Sequence, residues 1–174
     1  VYEDERIEIR CRDCERSHGG YAFPPGGIED RTSEELMAAF NQRARHLSCL
    51  SADGVCPDCS GRMETHLTDV RDADDPERVR VEHECQRCHH TIRSSVGLVL
   101  LDDARIVSFY QDHGIDLNSV PFWTLDWCVS DRHTTVERSG DPWRLTLSIP
   151  LDEEQLVLDL DGDLSVLAAE RRPA

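Results

Sequence analysis

Lysine is missing from this sequence: all 19 basic side chains are arginines, and they face 35 aspartates and glutamates, for a formal net charge of −16 at pH 7. So negative a surface repels phosphate backbones, which need clustered cations to displace their counterions, so the chain alone is a poor binder of DNA. No apolar run approaches the 18 or more residues of a membrane-spanning helix, and no charged-then-apolar leader opens the chain. Aromatic residues are scarce, at 6%. No His-Glu-x-x-His, Gly-x-Ser-x-Gly or Gly-rich phosphate loop occurs, and with them go the common signatures of zinc peptidases, serine hydrolases and nucleotide-binding folds. The first residue is Val1 rather than Met, which reads as a fragment or a processed product.

What remains is a chain of 174 residues with 39% apolar and 31% charged residues, enough for one domain or two small ones. Acidic and lysine-free composition together suit a cytoplasm of molar salt, where the Debye length falls to roughly 3 Å and self-repulsion is screened. GC-rich codon usage would account for the arginines but not for the acidity.

The eight cysteines carry the most specific signal. Six fall in Cys-x-x-Cys pairs, Cys11/Cys14, Cys56/Cys59 and Cys85/Cys88, with Cys49 and Cys128 single. Disulfide frameworks rarely repeat that spacing, whereas tetrahedral zinc sites do, because two thiolates on one tight turn can share an ion. Residues 56–88 read as knuckle, strand (Arg62–Val70), polar loop (Arg71–Pro76), strand (Val79–Glu84), knuckle: the plan of a zinc ribbon. A site of four cysteines is coordinatively full and stabilises structure rather than catalysing. Soft sulfur favours zinc or copper(I) over calcium or magnesium.

Cys11 and Cys14 follow a strand over residues 1–10, as Cys85 and Cys88 follow theirs, and Ser17–Gly27 reads as loop. With nothing for the first strand to pair with, the pair looks like the second half of a ribbon whose first half lies upstream. Closure inside the chain by His18, His46 or Cys49, and plain free thiols, are the alternatives. An open site of Cys11, Cys14 and His18 with a water would make a zinc hydrolase, and titrating half-site thiols would make a redox or metal sensor. Adjacent His89 and His90 point to opposite sides of a strand and belong near the knuckle or on the surface. Cys128 reads as a buried structural thiol.

Thr32-x-x-Glu35 forms a capping box opening a helix to about Leu47, with Leu36, Phe40 and Leu47 inward and Arg43 and Arg45 outside. Asp103 caps a helix through His113, ended by Gly114. Alternating runs at 134–138, 143–149, 155–160 and 164–167, the last two joined by Asp161-Gly162, predict an antiparallel meander. Asp159 to Glu170 is a poor calcium loop, its Gly two places too early. Phe109, Tyr110, Phe122, Trp123, Trp127 and Trp143 form the core between helix and sheet, the alternative being a ligand pocket. The expected fold is α+β, zinc-ribbon modules joined to a β-meander packed with helices. Its expected divisions are 1–55 (a half ribbon plus helix), 56–90 (the ribbon) and 91–174.

Taken in order, IRCRDCERSHGGYAFPPGG, ADGVCPDCSGRME, ECQRCHH, FYQDHGIDL, PFWTLDWCVS and DPWRLTL resemble the C-terminal region of haloarchaeal winged-helix, ArsR-like transcription regulators, over nearly the whole chain. The resemblance implies that Cys56, Cys59, Cys85 and Cys88 are the ribbon's zinc ligands. It also implies that Cys11 and Cys14 are the second pair of a site whose first Cys-x-x-Cys-Gly knuckle stands upstream. No winged helix is present in this sequence, so DNA binding is expected only upstream. What is expected here is a non-catalytic, cytoplasmic regulatory or dimerising module, partnered by a second copy or by its own winged-helix domain, with an effector of unknown identity and no membrane.

Overall fold

The structure is a computed structural model, and it describes residues 1–10, 12, 15, 17–70 and 79–174, His18 by its backbone alone. Three antiparallel sheets and four α-helices make an α+β architecture, as expected. The first sheet joins β1 (Tyr2–Glu3), β2 (Arg6–Arg10) and β3 (Ser17–Ala22) in that order. Here the expectation of a loop from Ser17 fails. The backbone of Ser17–Ala22 pairs with β2 in the register Arg6↔Ala22, Ile7↔Tyr21, Glu8↔Gly20 and Arg10↔Ser17. Ser, His and two glycines have low strand propensity, and tertiary pairing overrides it. The strand ahead of Cys11 therefore has two partners, and the reason given for expecting a missing one falls away.

Helix α1 (Ser33–Ala52) begins at the predicted capping box: Glu35 N–H donates to Thr32 Oγ1 at 3.3 Å and Thr32 N–H to Glu35 Oε2 at 2.8 Å. It runs five residues past Leu47, to Ala52. Phe40 and Ala44 are fully buried and Leu36 and Leu47 pack beside them. Arg43 is exposed, but Arg45 is not outside. It is buried, donates to the Leu117 carbonyl at 2.8 Å and forms an ion pair with Asp102. A guanidinium can go inside when its donors are met this way.

The second sheet, β4 (Met63–Asp69), β5 (Val79–Cys85) and β6 (Thr91–Ser94), is the expected hairpin extended by one strand. The polar loop expected at Arg71–Pro76 lies outside the described residues. Next come α2 (Val96–Val99), α3 (Ala104–Asp112) and α4 (Asp126–Val129). Asp103 caps α3, accepting from Arg105 N–H at 2.8 Å, and Gly114 follows its end at φ 75°. The third sheet is the expected meander, β7 (Thr134–Arg138), β8 (Arg144–Leu151), β9 (Glu154–Leu160) and β10 (Val166–Pro173), each strand beside the next. At its last turn Asp161 Oδ1 accepts from Asp163 and Ser165 N–H, so the Asp-Gly pair serves as a hairpin turn.

One apolar cluster links all three sheets. It runs from Ile7 and Tyr21 through Phe40, Val79 and Val81 to Phe109, Phe122, Leu147 and Leu158. Phe40 sits within 6.0 Å of Tyr21 and 5.9 Å of Trp123, ring centre to ring centre, tying β3 and α1 to the chain after α3. The aromatics are core, as predicted: Phe109, Tyr110, Phe122 and Trp127 are buried, and Trp127 Nε1 donates to Tyr110 Oη at 2.8 Å. Among the described residues no helix is long and apolar enough to cross a membrane.

Candidate metal centre

Two tight turns bring four sulfurs together, and the turns are copies of one another. In the first, Ser60 N–H donates to the Cys56 carbonyl at 2.9 Å and Cys56 N–H to the Gly61 carbonyl at 2.9 Å. In the second, His89 N–H donates to the Cys85 carbonyl at 3.0 Å and Cys85 N–H to the His90 carbonyl at 2.9 Å. The residue after the second cysteine is left-handed in both, Ser60 at φ 57° and His89 at φ 59°. Such a reversal turns both thiols of a pair to one side of the loop. The β4–β5 register, Met63↔Cys85, then sets the two knuckles at the same end of the sheet.

The Sγ atoms of Cys56, Cys59, Cys85 and Cys88 all lie within 4.8 Å of one another. Across the knuckles Cys56 and Cys88 are 3.7 Å apart and Cys59 and Cys85 3.5 Å. A disulfide needs about 2.05 Å, so these are separate sulfurs. A tetrahedron with metal–sulfur bonds of about 2.3 Å has edges of roughly 3.8 Å, close to what is found. Gly61 suits this packing: a Cβ there would stand 3.0 Å from Cys85 Sγ and 3.1 Å from Cys59 Sγ, tighter than an ordinary contact.

The electrostatics suit a cation. The N–H groups of Cys88 and Arg87 point at Cys85 Sγ from 3.5 and 3.4 Å and lower its pKa to about 6. The His90 N–H likewise favours the Cys88 thiolate, but crowding against Cys59, Cys85 and Cys56 outweighs it and pushes that thiol up to about 12. Four thiolates this close ionise together only with a positive ion among them. The donor set is therefore able to hold a metal ion.

Among the described residues, no other predicted ligand is part of this cluster. Cys11 and Cys14 lie outside the described residues, but what surrounds them is informative. Glu15, next after Cys14, has φ 57°, the conformation of Ser60 and His89. Arg10 pairs with Ser17 just as Glu84 pairs with Thr91, in both cases one residue before the first cysteine and three after the second. Among the described residues neither His46 nor Cys49 belongs to a group that could hold a metal. Cys49 approaches Asp53 Oδ2 at 3.8 Å; burial first, and then that carboxylate, raise its pKa. Cys128 is buried, and burial pushes its thiol well above the usual range, as a structural thiol requires. His89 is exposed beside Glu84, and His90 Nδ1 meets Asp58 Oδ2 at 2.9 Å, so both flank the knuckle.

One residue of the site region was missed. His83 is fully buried, its Nδ1 3.0 Å from Thr65 Oγ1, and burial lowers its pKa to about 4. The signal was present: Val79, Val81, His83 and Cys85 alternate along β5, all on the inner face.

Fold and site together define a class, an α+β protein built around a ribbon whose four cysteines could hold a metal ion. Within it the chain belongs to the family described as Domain of unknown function (DUF7351), whose model matches residues 1–166. No curated protein and no solved structure matches it.

Proposed function

We propose that the chain is a non-catalytic, zinc-binding regulatory module of a winged-helix transcription regulator from a halophilic archaeon. The observation that carries the non-catalytic part is the cluster of four sulfurs, which fills a tetrahedral ion and leaves no position for water or substrate. Zinc is the metal this donor set suits best among those of a reducing cytoplasm. Support for the regulatory part comes from the ordered resemblance of its motifs to ArsR-like regulators. The charge of −16 supports assigning DNA contact to a winged-helix segment rather than to these residues. The matched strand register and the turn at Glu15 support reading Cys11 and Cys14 as a second knuckle, closed by cysteines outside this sequence. In this reading the module joins subunits, senses an effector, or does both.

The test is to express the chain alone and fused to the winged-helix segment of its own gene, in molar potassium chloride. The chain alone should bind one zinc at the ribbon and no DNA. The fusion should bind DNA, with an affinity that changes when a chelator strips the metal. DNA binding by the fusion that ignores metal removal, or a gene with no DNA-binding segment, would defeat the regulatory reading.

A further inference from the structure

A cleft of about 710 Å³ opens between β3 and β6, the edge strands of the first two sheets, and its charge runs against that of the molecule. That volume is typical of small-molecule sites. The chain has nearly two carboxylates per arginine, yet among the described residues Arg6, Arg43, Arg80, Arg93 and His90 line the cleft against one carboxylate, Asp58. Asp58 is taken by His90 at 2.9 Å, and Arg93 by Glu82 at 2.7 Å.

Arg6 and Arg43 are held differently. Arg6 Nη2 donates to the Gly20 carbonyl at 2.9 Å, and Arg43 Nε donates to the Ala22 carbonyl at 2.8 Å. Phe23 N–H bonds across to the Glu5 carbonyl, a register that turns the backbone groups of Gly20 and Ala22 away from β2. Both arginines are thus fastened along the open edge of β3 by backbone, and neither forms an ion pair among the described residues. Each guanidinium has five N–H donors in a planar fork and spends one on that anchor. The two anchors, the carbonyls of Gly20 and Ala22, lie two residues apart on one strand edge, roughly 7 Å, and the fork of each arginine matches the geometry of a carboxylate or phosphate. Leu47 of α1 and Leu98 of α2 add apolar surface to the same cleft.

We propose that this cleft binds a small organic anion, its carboxylate or phosphate held by Arg6 and Arg43 and its apolar body laid against Leu47 and Leu98. The metal centre supports one wall, since Asp58 belongs to the first knuckle and His90 follows the second. The proposal stands apart from the regulatory reading and holds for a module of any larger protein.

The experiment titrates the 15N-labelled full chain, with its metal bound, in molar potassium chloride. The probes are benzoate, phenyl phosphate and, as an uncharged counterpart, benzyl alcohol. At least one anion should give saturable shifts of the amides of residues 19–22 and 92–94, the stronger one naming the head group, and benzyl alcohol should give none. Arg6→Gln and Arg43→Gln should each weaken that binding about tenfold or more, the loss expected for a charge-assisted pair. Arg105→Gln, whose partner is Asp103 at the N-cap of α3, should leave it unchanged. The bound anion should also protect Arg6 and Arg43 of the unaltered protein from phenylglyoxal, a readout that does not depend on any variant folding. Equal binding of benzyl alcohol, saturable shifts confined to other surfaces, no saturable shift from either anion, or unprotected arginines would overturn the proposal.

Discussion

Gly97 sits where no side chain fits. A Cβ there would lie 2.0 Å from the Trp127 carbonyl oxygen and 2.9 Å from Cys128 Cα, because α2 and α4 touch backbone to backbone at this point. Gly97→Ala should therefore cost about 3 kcal/mol in urea unfolding, the upper range for overpacking, since neither backbone can rotate aside. A loss under about 0.5 kcal/mol would mean that the helices are not packed this closely. Tyr21 makes a separate prediction. Burial raises its pKa to about 12, above the usual 10.0, so the unfolded chain gives up this proton first as pH rises. The native state then holds more protons than the unfolded one, and stability falls with pH from about 10 to about 12. Below pH 10 this group contributes no slope. Tyr21→Phe should flatten that alkaline limb, and tyrosinate absorbance should rise together with unfolding. An unchanged limb in Tyr21→Phe would count against the burial.

Among the elements, legibility in the sequence followed the locality of the signal. The capping box at Thr32, the cap at Asp103, the Asp161-Gly162 turn and both ribbon knuckles are written within a few residues, and each lies where expected. Strand β3 was missed because its pairing with β2, rather than its Ser-His-Gly-Gly composition, makes it a strand. Helix α2 was missed because a single turn, Val96-Gly97-Leu98-Val99, is too short to show a period. The burial of Arg45 depends on Asp102 and Leu117, far along the chain, and so could not be read from α1 alone. For the site, ligand spacing was local, whereas the inward His83 showed only in the alternation of β5. The ribbon predicts its own behaviour: Cys85→Ser should lose the metal and release hydrogen-exchange protection in β4–β6. Cys128→Ser, a buried thiol away from the cluster, should keep the metal and cost about 1–2 kcal/mol. Metal retained in Cys85→Ser with β4–β6 still protected would show that the sulfurs do not hold the ribbon.

At the scale of the whole molecule, charge and the proposed metal should act on different parts. With 35 acidic and 19 basic side chains, repulsion opposes compaction when the Debye length is about 10 Å, near 0.1 M salt, and fades at molar salt. Excluded salts also strengthen apolar burial. The β7–β10 meander lies apart from the four sulfurs, so its amides should lose exchange protection first as potassium chloride is lowered, while the knuckles persist. Equal protection of the meander in dilute and molar salt would remove the halophilic reading. The central claim, a closed centre of four thiolates, is tested most directly by X-ray absorption at the zinc edge. The sample is the Cys11→Ser, Cys14→Ser double variant, which removes the third Cys-x-x-Cys pair. The account predicts one zinc per chain with four sulfur neighbours at about 2.3 Å. Fewer than four sulfurs, or an oxygen or nitrogen neighbour in their place, would contradict it.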